Sequence, residues 1–456
     1  MNRRESIIAL SSFLNSQPSN GQRPWTAVSL FSGAGLSDMG YDLAGFEFTV
    51  QVEKDPKRAQ LGNSNFSRST WIVGDVRRST AKIVAGFKGA TGHDLDLLVA
   101  TPPCQGMSSS NPGRGRREDS HRLHEEKNKL ILAIIPVARR LAPRLIVAEN
   151  VRPILTLTAS HKGRRDRVID FLRRELEAYE VFEGVVNAAD YGVPQIRKRA
   201  IILAVRKDQP FLHRLLREDL LPWPCVTHAE SRRPGQHQWL SVRDWFTFME
   251  YEPLDAKDRD SANGQHPLHF VPHYRRQPDR YLQVSQIPPY GGRSAYENSS
   301  CPECAVADVP HGLANCPRCG GLMRNRPYVR DGNKFRLIRG FGRSSYRRMP
   351  ADRPAATVTT NSSHVGSDFK IHPWENRVLS ILEAADLQTV PRFYDWSLAL
   401  RERHNYLIRN VIGESFPPYF TYLHGRLLGR LLAGVHVSSQ EFASQEVRQQ
   451  EATKMS

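Results

Sequence analysis

Short apolar runs alternate with helical stretches over the first half of the chain, and this alternation restricts the fold more than any other feature. The runs lie at 27–31, 48–52, 95–100, 145–148 and 200–205. They are mostly rich in Val, Ile or Leu, which is typical of strands buried on both faces. Apolar residues recur at helical spacing in 130–141 and 165–179. The pattern predicts a doubly wound, mostly parallel α/β sheet, which binds ligands at the carboxyl ends of its strands.

The character of the chain changes after residue 210. Residues 220–350 are rich in Pro, Arg, His and Tyr, show few regular patterns and contain two close Cys pairs. This composition predicts an inserted, irregular domain. Regular apolar text resumes near residue 353 and ends in a predicted helix at 419–435. A polar lead-in at 1–24 and a Gln- and Ser-rich tail at 437–456, which we expect to be flexible, flank these parts.

Charge and cysteine content bear on partner and compartment. The net charge of +17 over 456 residues favours a polyanionic partner, because each phosphate neutralised by Lys or Arg releases counterions. A merely basic soluble protein is the alternative reading of charge alone. No apolar run approaches the ~20 residues that a bilayer crossing needs, and the first residues lack a convincing signal-peptide cleavage site. Six cysteines in so long a chain do not suggest a disulfide framework, so we expect a reducing, cytoplasmic location.

A glycine-rich turn, FSGAGLSDMG at 31–40, follows the first predicted strand. Small residues at a strand-to-helix turn let a ligand approach the backbone. Glu53 ends the next strand, where a carboxylate can accept hydrogen bonds from ribose hydroxyls, and Asp75 stands where a carboxylate can bind an adenine amino group. A plain tight turn is the alternative for the glycines alone. Spaced carboxylates after consecutive strands favour a nucleoside-containing cofactor.

Cys104, in TPPCQG at 101–106, lies just beyond the strand predicted at 95–100, at the expected ligand-binding edge. Two prolines before it fix the approach of the chain. A lone Cys is more often a small buried hydrophobe, which is the alternative reading. The Gly-, Ser- and Arg-rich segment 108–121 is typical of a mobile flap that contacts phosphates and closes over a site.

Further polar side chains are expected at the same edge. Glu149 directly follows the strand predicted at 145–148. Three candidates precede the strand at 200–205 with strand spacing, so that all can face one side: Gln195, Arg197 and Arg199. Taken singly, Glu149 reads as a helix cap and the arginines as a solvated face. Their joint placement beside the strand ends favours a site.

The chain resembles the DNA (cytosine-5)-methyltransferase family of bacterial modification type. The motifs FSGAGLSDMGYDLAGF, TPPCQGMS, AENV, NAADYGVPQIRKRA, RPAATVTT and IGESFPP occur in the order of that family. The resemblance covers about 25–210 and 340–435. It implies a catalytic and cofactor-binding domain at 25–210, a target-recognition domain at 211–350, and a return to the catalytic domain at 351–436.

The resemblance also implies a cofactor and a mechanism. The methyl donor is S-adenosylmethionine, and its pocket is lined by Phe31, Gly33, Gly35, Leu36, Glu53, Asp75, Val76, Pro102 and Ser415. The Cys104 thiolate adds to carbon 6 of cytosine, Glu149 donates to ring nitrogen 3, and Arg199 holds the base carbonyl, with Arg197 nearby on base or backbone. The target base must be flipped out of the duplex. Contacts to the DNA are expected from Gln105, Ser108 and Gln195.

Two departures from the family pattern bear on cofactor binding. The family usually has Gly-Asn before the late Pro pair, whereas Glu414 stands in the amide position here. This carboxylate adds negative charge near the methionine end of the cofactor, so we expect an effect on cofactor affinity and none on the fold. Met107 also stands where Phe is common, which is a milder change.

Two C-x-x-C pairs, CPEC at 301–304 and CPRC at 316–319, predict a metal site within the irregular region. Four thiolates at this spacing suit tetrahedral zinc, and a redox pair is the alternative. We expect the zinc module at 301–319, held by Cys301, Cys304, Cys316 and Cys319, to be a structural clip. Nearby arginines, among them Arg324 and Arg330, motivate the hypothesis that this module touches DNA.

The predicted function is methylation of cytosine within a specific double-stranded DNA sequence. We expect a monomer, paired with a restriction or defence nuclease. A transfer-RNA cytosine methyltransferase is the alternative within the same family, and the large zinc-bearing region favours DNA over it. A DNA-binding regulator without activity is the third reading, which the joint presence of Cys104, Glu149 and Arg199 disfavours.

Overall fold

The computed structural model describes residues 3–17, 24–103, 129–231, 233–338, 344–402 and 404–444. Within these ranges the helices, numbered in chain order, are α1 (Arg3–Leu14), α2 (Leu36–Leu43), α3 (Pro56–Asn65), α4 (Val76–Ala90), α5 (Ile134–Leu141), α6 (Val168–Glu175), α7 (Leu212–Arg217), α8 (Val242–Met249), α9 (Pro278–Ser285), α10 (Ile381–Leu387), α11 (Ser397–Arg401), α12 (Asn405–Glu414) and α13 (Pro418–Leu432). The strands are β1 (Trp25–Leu30), β2 (Phe46–Glu53), β3 (Thr70–Val73), β4 (Leu97–Ala100), β5 (Leu145–Asn150), β6 (Thr158–His161), β7 (Arg164–Arg167), β8 (Tyr179–Asn187), β9 (Gln195–Ile196), β10 (Lys198–Arg206), β11 (Leu220–Pro224), β12 (His228–Ala229), β13 (His237–Gln238), β14 (Tyr328–Asp331), β15 (Lys334–Leu337), β16 (Ala355–Ala356) and β17 (Phe442–Ser444).

Seven of these strands form one sheet in the order β3-β2-β1-β4-β5-β10-β8. Neighbours from β3 to β5 pair in parallel, whereas β10 runs antiparallel to both β5 and β8. The chain moves outward from β1 to β3 and then adds β4 on the other side of β1. Such a switch point is where an open α/β sheet forms its ligand crevice. The α/β class is therefore confirmed, as a mixed sheet with parallel central strands.

Alternate residues of the central strands face two separate hydrophobic clusters. In β4, Leu97 and Val99 belong to one cluster, while Leu98 and Ala100 belong to the other. Because both faces are covered, such a strand reads as a continuous apolar run. This explains why all five predicted runs correspond to strands, namely β1, β2, β4, β5 and β10.

Strands β3 and β8 were not predicted. The residues of β3 are half-buried or exposed at the sheet edge, and β8 includes Glu180 and Glu183, so neither reads as a buried run. The helix predicted at 165–179 is shorter than expected, because β7 pairs with β6 before α6 begins at Val168. The helix predicted at 419–435 is α13.

Both ends of the described chain pack on the main core. Helix α1, within the predicted lead-in, buries Leu10, Phe13 and Leu14. Strand β17 pairs with β11 and buries Phe442. The expected flexibility of the tail is therefore wrong for residues up to 444, and residues 445–456 lie outside the described ranges. Within the described ranges, the helices lack the combination of length and apolar composition that a bilayer crossing requires.

The region between α8 and α10 is mostly irregular and has its own small hydrophobic clusters. One cluster draws on residues from Leu254 to Val378, and a second surrounds Cys301, Cys316 and Met323. Irregular backbone leaves carbonyl groups without ladder partners. Buried Arg326 donates to four of them, those of Asn298, Val309, Pro310 and Leu313. Strand β16 then pairs with β9, which ties the returning chain to the sheet side of the molecule.

Candidate active site and metal centre

The turn after β1 lies at the carboxyl edge of the sheet and contains three residues in the left-handed backbone region. Phe31, Gly33 and Gly35 all have positive φ, of 58°, 58° and 78°. A Cβ atom on Gly33 would meet no other atom within 4 Å, whereas one on Gly35 would lie 2.5 Å from the Phe66 ring. Gly35 is therefore required for packing, while Gly33 leaves the backbone exposed to an approaching ligand. The Leu36 side chain points into the main hydrophobic cluster.

Glu53 ends β2 and is bound to this turn. Its Oε2 accepts from the Gly33 N–H at 2.9 Å, and its Oε1 accepts from the Asp55 N–H at 2.8 Å. Burial raises the pKa of this carboxyl, although both backbone hydrogen bonds oppose the rise. A carboxylate has about four acceptor positions, so Glu53 keeps capacity for further donors such as ribose hydroxyls.

Asp75 is the N-cap residue of α4. Its carboxylate caps the helix by accepting from the Arg77 N–H at 3.0 Å and also forms an ion pair with the Arg77 guanidinium at 2.7 Å. The Arg77 hydrogen bond is the main cause that lowers the pKa of Asp75 to about 2. Val76, the first residue of α4, is buried. The predicted contact of Asp75 with adenine stays a prediction, beside a capping role that the sequence had not indicated.

The late segment 413–416 packs against the glycine turn. The Phe416 N–H donates to the Ser37 hydroxyl at 2.9 Å, and the Thr421 hydroxyl donates to the Ser37 carbonyl at 2.8 Å. Ser415, half-buried, follows α12 and donates to the Ile412 carbonyl. The hydrogen bond between Phe416 and Ser37 brings the segment that contains Ser415 close to the glycine-rich turn, although the two lie far apart in the sequence.

Glu414 is neutralised by a cation that the sequence did not reveal. Its carboxylate forms an ion pair with the Arg58 guanidinium at 2.8 Å, and a second hydrogen bond joins the two at 3.0 Å. Arg58 lies in the first turn of α3, just after Glu53 and Asp55. Burial raises the pKa of Glu414, and Arg58 opposes the rise. The sequence could not predict this ion pair, because Arg58 and Glu414 are 356 residues apart.

The chain that leads to Cys104 is anchored to two strands. The Thr101 hydroxyl donates to the Phe31 carbonyl at 2.9 Å. The buried Asn150 side chain, at the end of β5, donates to the Pro102 carbonyl at 3.0 Å. The described chain stops at Pro103, one peptide bond before Cys104. Cys104, Gln105 and Ser108 lie outside the described residues.

Glu149 and Arg199 meet at this edge. Glu149 is in β5 and Arg199 is in β10, whose register pairs Ile201 with Glu149. Arg199 Nε lies 2.9 Å from Glu149 Oε1, and both side chains are mostly buried, at 15% and 12% exposure. Burial raises the pKa of Glu149, while Arg199 and then Arg197 oppose the rise. The pair thus places a mostly buried carboxyl group, whose pKa is raised by burial, beside a guanidinium group.

Arg197 and Gln195 face inward. The Arg197 guanidinium donates to the carbonyls of Val358, Gly413 and Glu414 at 3.1, 3.0 and 3.2 Å, and its side chain is fully buried. The Gln195 amide donates to the Leu387 carbonyl and to Gln388, and it accepts from the Val358 N–H. In this structure neither side chain is available to a base or to DNA. Both were expected to face the site with Arg199, and instead they hold the returning chain against the sheet.

The four paired cysteines form a compact cluster. The Sγ atoms of Cys301 and Cys319 lie 3.7 Å apart, and those of Cys304 and Cys316 lie 3.8 Å apart. All four sulfur atoms lie within 4.8 Å of one another. Tetrahedral zinc with Zn–S bonds of about 2.3 Å requires S···S distances of about 3.8 Å. The cluster therefore fits a single zinc ion, and the four thiols are free rather than paired in disulfides.

Comparison with known proteins identifies the family. The sequence profile of the C-5 cytosine-specific DNA methylases matches residues 25–424. The type II methyltransferase M1.HgaI of Avibacterium volantium is 28% identical over 403 residues, which cover 86% of this chain and 94% of that protein. The type II methyltransferase M.XorII of Xanthomonas oryzae pv. oryzae is 31% identical over 398 residues, which cover 86% and 81%. A solved putative DNA modification methyltransferase encoded within a prophage (E. coli) aligns with 90% of this chain and 99% of its own, with a TM-score of 0.51 and 20% identity, which bears on the fold alone. The chain belongs to the C-5 cytosine-specific DNA methylase family, a family of S-adenosylmethionine-dependent methyltransferases.

Proposed function

We propose that this enzyme methylates carbon 5 of a flipped-out cytosine within a specific double-stranded DNA sequence, through a covalent adduct with Cys104. The observation that carries the proposal is the Glu149–Arg199 pair at the carboxyl edge of the sheet. The chain that enters Cys104 is bound at the same edge through Asn150, the residue after Glu149.

The chemistry needs an acid and a nucleophile on one base. Carbon 5 of cytosine is a poor nucleophile until a thiolate adds to carbon 6. Glu149, whose pKa is raised by burial, can donate a proton to ring nitrogen 3 as the Cys104 thiolate adds. Arg199 lies beside Glu149 and can hold the base carbonyl oxygen. After methylation, loss of the carbon 5 proton to a base eliminates the thiolate, and ring nitrogen 3 returns its proton to Glu149, which restores the neutral aromatic ring and the enzyme.

The methyl donor would bind at the turn after β1. S-adenosylmethionine supplies the methyl group when it is bound. The open backbone at Gly33 and the remaining acceptor positions of Glu53 suit its ribose. Ser415 directly precedes Phe416, whose N–H binds the Ser37 hydroxyl. Phe31, Gly35, Leu36, Asp75, Val76 and Pro102 complete the set that the family resemblance assigns to the pocket.

We further propose that the four cysteines hold structural zinc in a target-recognition domain. Their S···S distances of 3.7 and 3.8 Å match the geometry of a zinc tetrathiolate. The surrounding region has little apolar core, so a metal clip would contribute much of its order. The type II methyltransferases among the relatives also support a role in a restriction-modification system.

A mechanism-based trap tests the proposal. Random-sequence duplex DNA is prepared with 5-fluorocytosine in place of cytosine, so that carbon 5 has no proton to lose and the adduct persists. We expect a denaturation-resistant complex of wild-type enzyme with this DNA in the presence of S-adenosylmethionine, and none for Cys104→Ala. Transfer RNA and duplex DNA are assayed side by side with labelled donor. Labelling of transfer RNA alone, or an adduct with Cys104→Ala, would refute the proposal.

A further inference from the structure

A short β-hairpin stands out from the irregular region with both of its faces exposed. Strands β14 and β15 pair antiparallel from Tyr328↔Leu337 to Asp331↔Lys334, with Gly332 and Asn333 in the turn. Every residue from 329 to 336 is exposed. Val329 and Phe335 are each 38% exposed, although apolar residues in a hairpin usually cover a core.

Packing contributes little to the stability of this hairpin. A two-stranded hairpin alone is marginally stable in water, and this one covers little besides the edge-to-face contact of Tyr328 with Phe335, whose ring centroids lie 5.6 Å apart. It carries three cationic side chains, Arg330, Lys334 and Arg336, and one carboxylate, Asp331, which pairs with Arg336 at 2.7 Å. The excess of positive charge suits a polyanion rather than another protein surface.

The base of the hairpin is held firmly, in contrast to its tip. The Tyr328 hydroxyl donates to the Asp279 carboxylate in α9 at 2.5 Å. Just before it, fully buried Arg326 donates to four carbonyls of the segment 298–313. Asn325, also buried, donates to the Ser300 carbonyl, next to Cys301.

The cysteine cluster is continuous with this base. Met323 packs with Cys301 and Cys316 in one small cluster, and Arg324 forms an ion pair with Glu303, which lies between Cys301 and Cys304, at 2.9 Å. Residues 323–326 therefore connect the four thiols to the first strand of the hairpin. Loss of order at the cysteines would remove the partners of Asn325 and Arg326 and release the hairpin.

We propose that the β14–β15 hairpin enters the major groove of DNA as a two-stranded ribbon, and that the four-cysteine module positions it without touching the DNA. A ribbon of this kind fits the width of the major groove, and arginine and lysine side chains read guanine edges or neutralise phosphates there. The inference rests on the proposed function for its substrate, double-stranded DNA. The rigid base and exposed cationic tip are the arrangement that a groove-reading element requires.

Binding of the full-length, zinc-loaded enzyme to duplex DNA tests the hairpin. The probe is a fluorescent duplex with the target sequence found by sequencing DNA that the enzyme has methylated, compared with a scrambled duplex across a salt series. Arg330→Ala/Lys334→Ala should weaken binding to the target duplex by about tenfold or more and lower the slope of log K against log salt by about 1 to 2. The matched control is Lys88→Ala at the far end of α4, which should leave both quantities unchanged.

The result that would overturn the hairpin assignment is target binding and a salt slope equal to wild type for Arg330→Ala/Lys334→Ala. Methylation by the wild-type enzyme is measured in the same preparation. If wild type methylates cytosine and the double variant binds normally, only the hairpin inference fails. If wild type neither methylates nor binds DNA, the proposed function fails first.

A second comparison separates positioning from contact. Arg318 lies between Cys316 and Cys319 and is exposed. If the module only positions the hairpin, Arg318→Ala keeps the wild-type salt slope, whereas Cys316→Ser increases hydrogen exchange at 328–337 and weakens DNA binding without changing S-adenosylmethionine affinity. A drop in slope of about 1 for Arg318→Ala would place the module itself on the DNA and contradict the positioning role.

Discussion

Glu149 and Arg199 come from neighbouring strands that run in opposite directions, which is why both reach the same edge of the sheet. The carboxyl is mostly buried, and burial raises its pKa. Protonated Glu149 can donate to the base, so its acid form is the active one in the proposed mechanism.

Glu149 is the proton donor in the proposed mechanism. Glu149→Gln should lower kcat for DNA methylation by about a hundredfold or more, because general acid catalysis contributes roughly 10²- to 10⁴-fold. S-adenosylmethionine affinity should change little, since Glu149 lies outside the proposed cofactor pocket. Steady-state kinetics and calorimetric titration give the two values, with Glu177→Gln at an exposed position as control. A kcat within threefold of wild type would remove Glu149 from the mechanism.

Glu414 directly precedes Ser415, a predicted cofactor residue. The sequence suggested an uncompensated charge near the cofactor, whereas the structure pairs Glu414 with Arg58. We therefore expect Glu414→Gln to change S-adenosylmethionine affinity by less than about threefold. A double-mutant cycle of Glu414→Gln with Arg58→Gln should give a coupling energy of about 0.5 to 1 kcal/mol in denaturant unfolding, since both groups are partly exposed. Cofactor binding more than tenfold tighter in Glu414→Gln would mean that Arg58 does not neutralise the charge.

The break between strands β9 and β10 determines which side-chain directions could be predicted from the sequence. Gln195 belongs to β9, Arg199 belongs to β10, and Arg197 lies between the two strands. Strand spacing relates side chains only within one strand, so the expectation that all three face one side failed. The position of Arg199 was predictable because it adjoins a buried apolar strand. The inward course of Arg197 depends on carbonyls at 358, 413 and 414, which no local pattern reveals.

The two arginines should therefore separate stability from catalysis. Arg197→Met leaves three backbone carbonyls without their donor and should lower the free energy of unfolding by roughly 3 kcal/mol or more. Arg199→Met should affect stability less and kcat more. Urea unfolding and methylation kinetics on both variants give the comparison. Equal losses of stability would contradict the distinct roles.

The cysteine cluster gives a prediction for one whole module. The spacing of the pairs was enough to predict that the four thiols lie together, because C-x-x-C turns bring thiols together locally. We expect one zinc per chain by elemental mass spectrometry, lost in Cys316→Ser, with Cys225→Ser as a control that retains it. A wild-type protein with disulfides and no zinc would favour the redox alternative.

His424 connects parts of the chain that are distant in the sequence. In α13 it lies 2.9 Å from the Tyr41 hydroxyl of α2 and 3.1 Å from the Pro222 carbonyl of β11. Burial lowers its pKa from 6.5 to about 4. Between these values the unfolded chain binds more protons than the folded one, so this histidine costs stability as the pH falls through that window.

His424→Gln removes the titrating imidazole and tests whether it makes the stability depend on pH. As the pH falls from 7 to 5, the unfolding free energy of wild type should decrease by roughly 2 kcal/mol more than that of the variant. Urea unfolding at several pH values measures it. A difference that stays constant across this range would show that His424 does not titrate in the way its burial implies.

The whole fold was predictable to different depths. Strands β1, β4 and β5 are buried on both faces, so they could be predicted from apolar runs. The order of the family motifs indicated the edge of the sheet at which the site lies. Edge strand β3, the hairpin β14–β15 and the ion pair of Arg58 with Glu414 were not predicted, because exposure or long-range pairing defines them rather than local pattern.

Covalent methylation of cytosine carbon 5 by Cys104 can be tested in the DNA of a host that expresses the enzyme. Nucleoside mass spectrometry and bisulfite sequencing should find 5-methylcytosine at one defined sequence with wild type, and none with Cys104→Ala produced at the same level. Methylation that persists with Cys104→Ala, or that occurs on the exocyclic nitrogen of cytosine, would contradict the account.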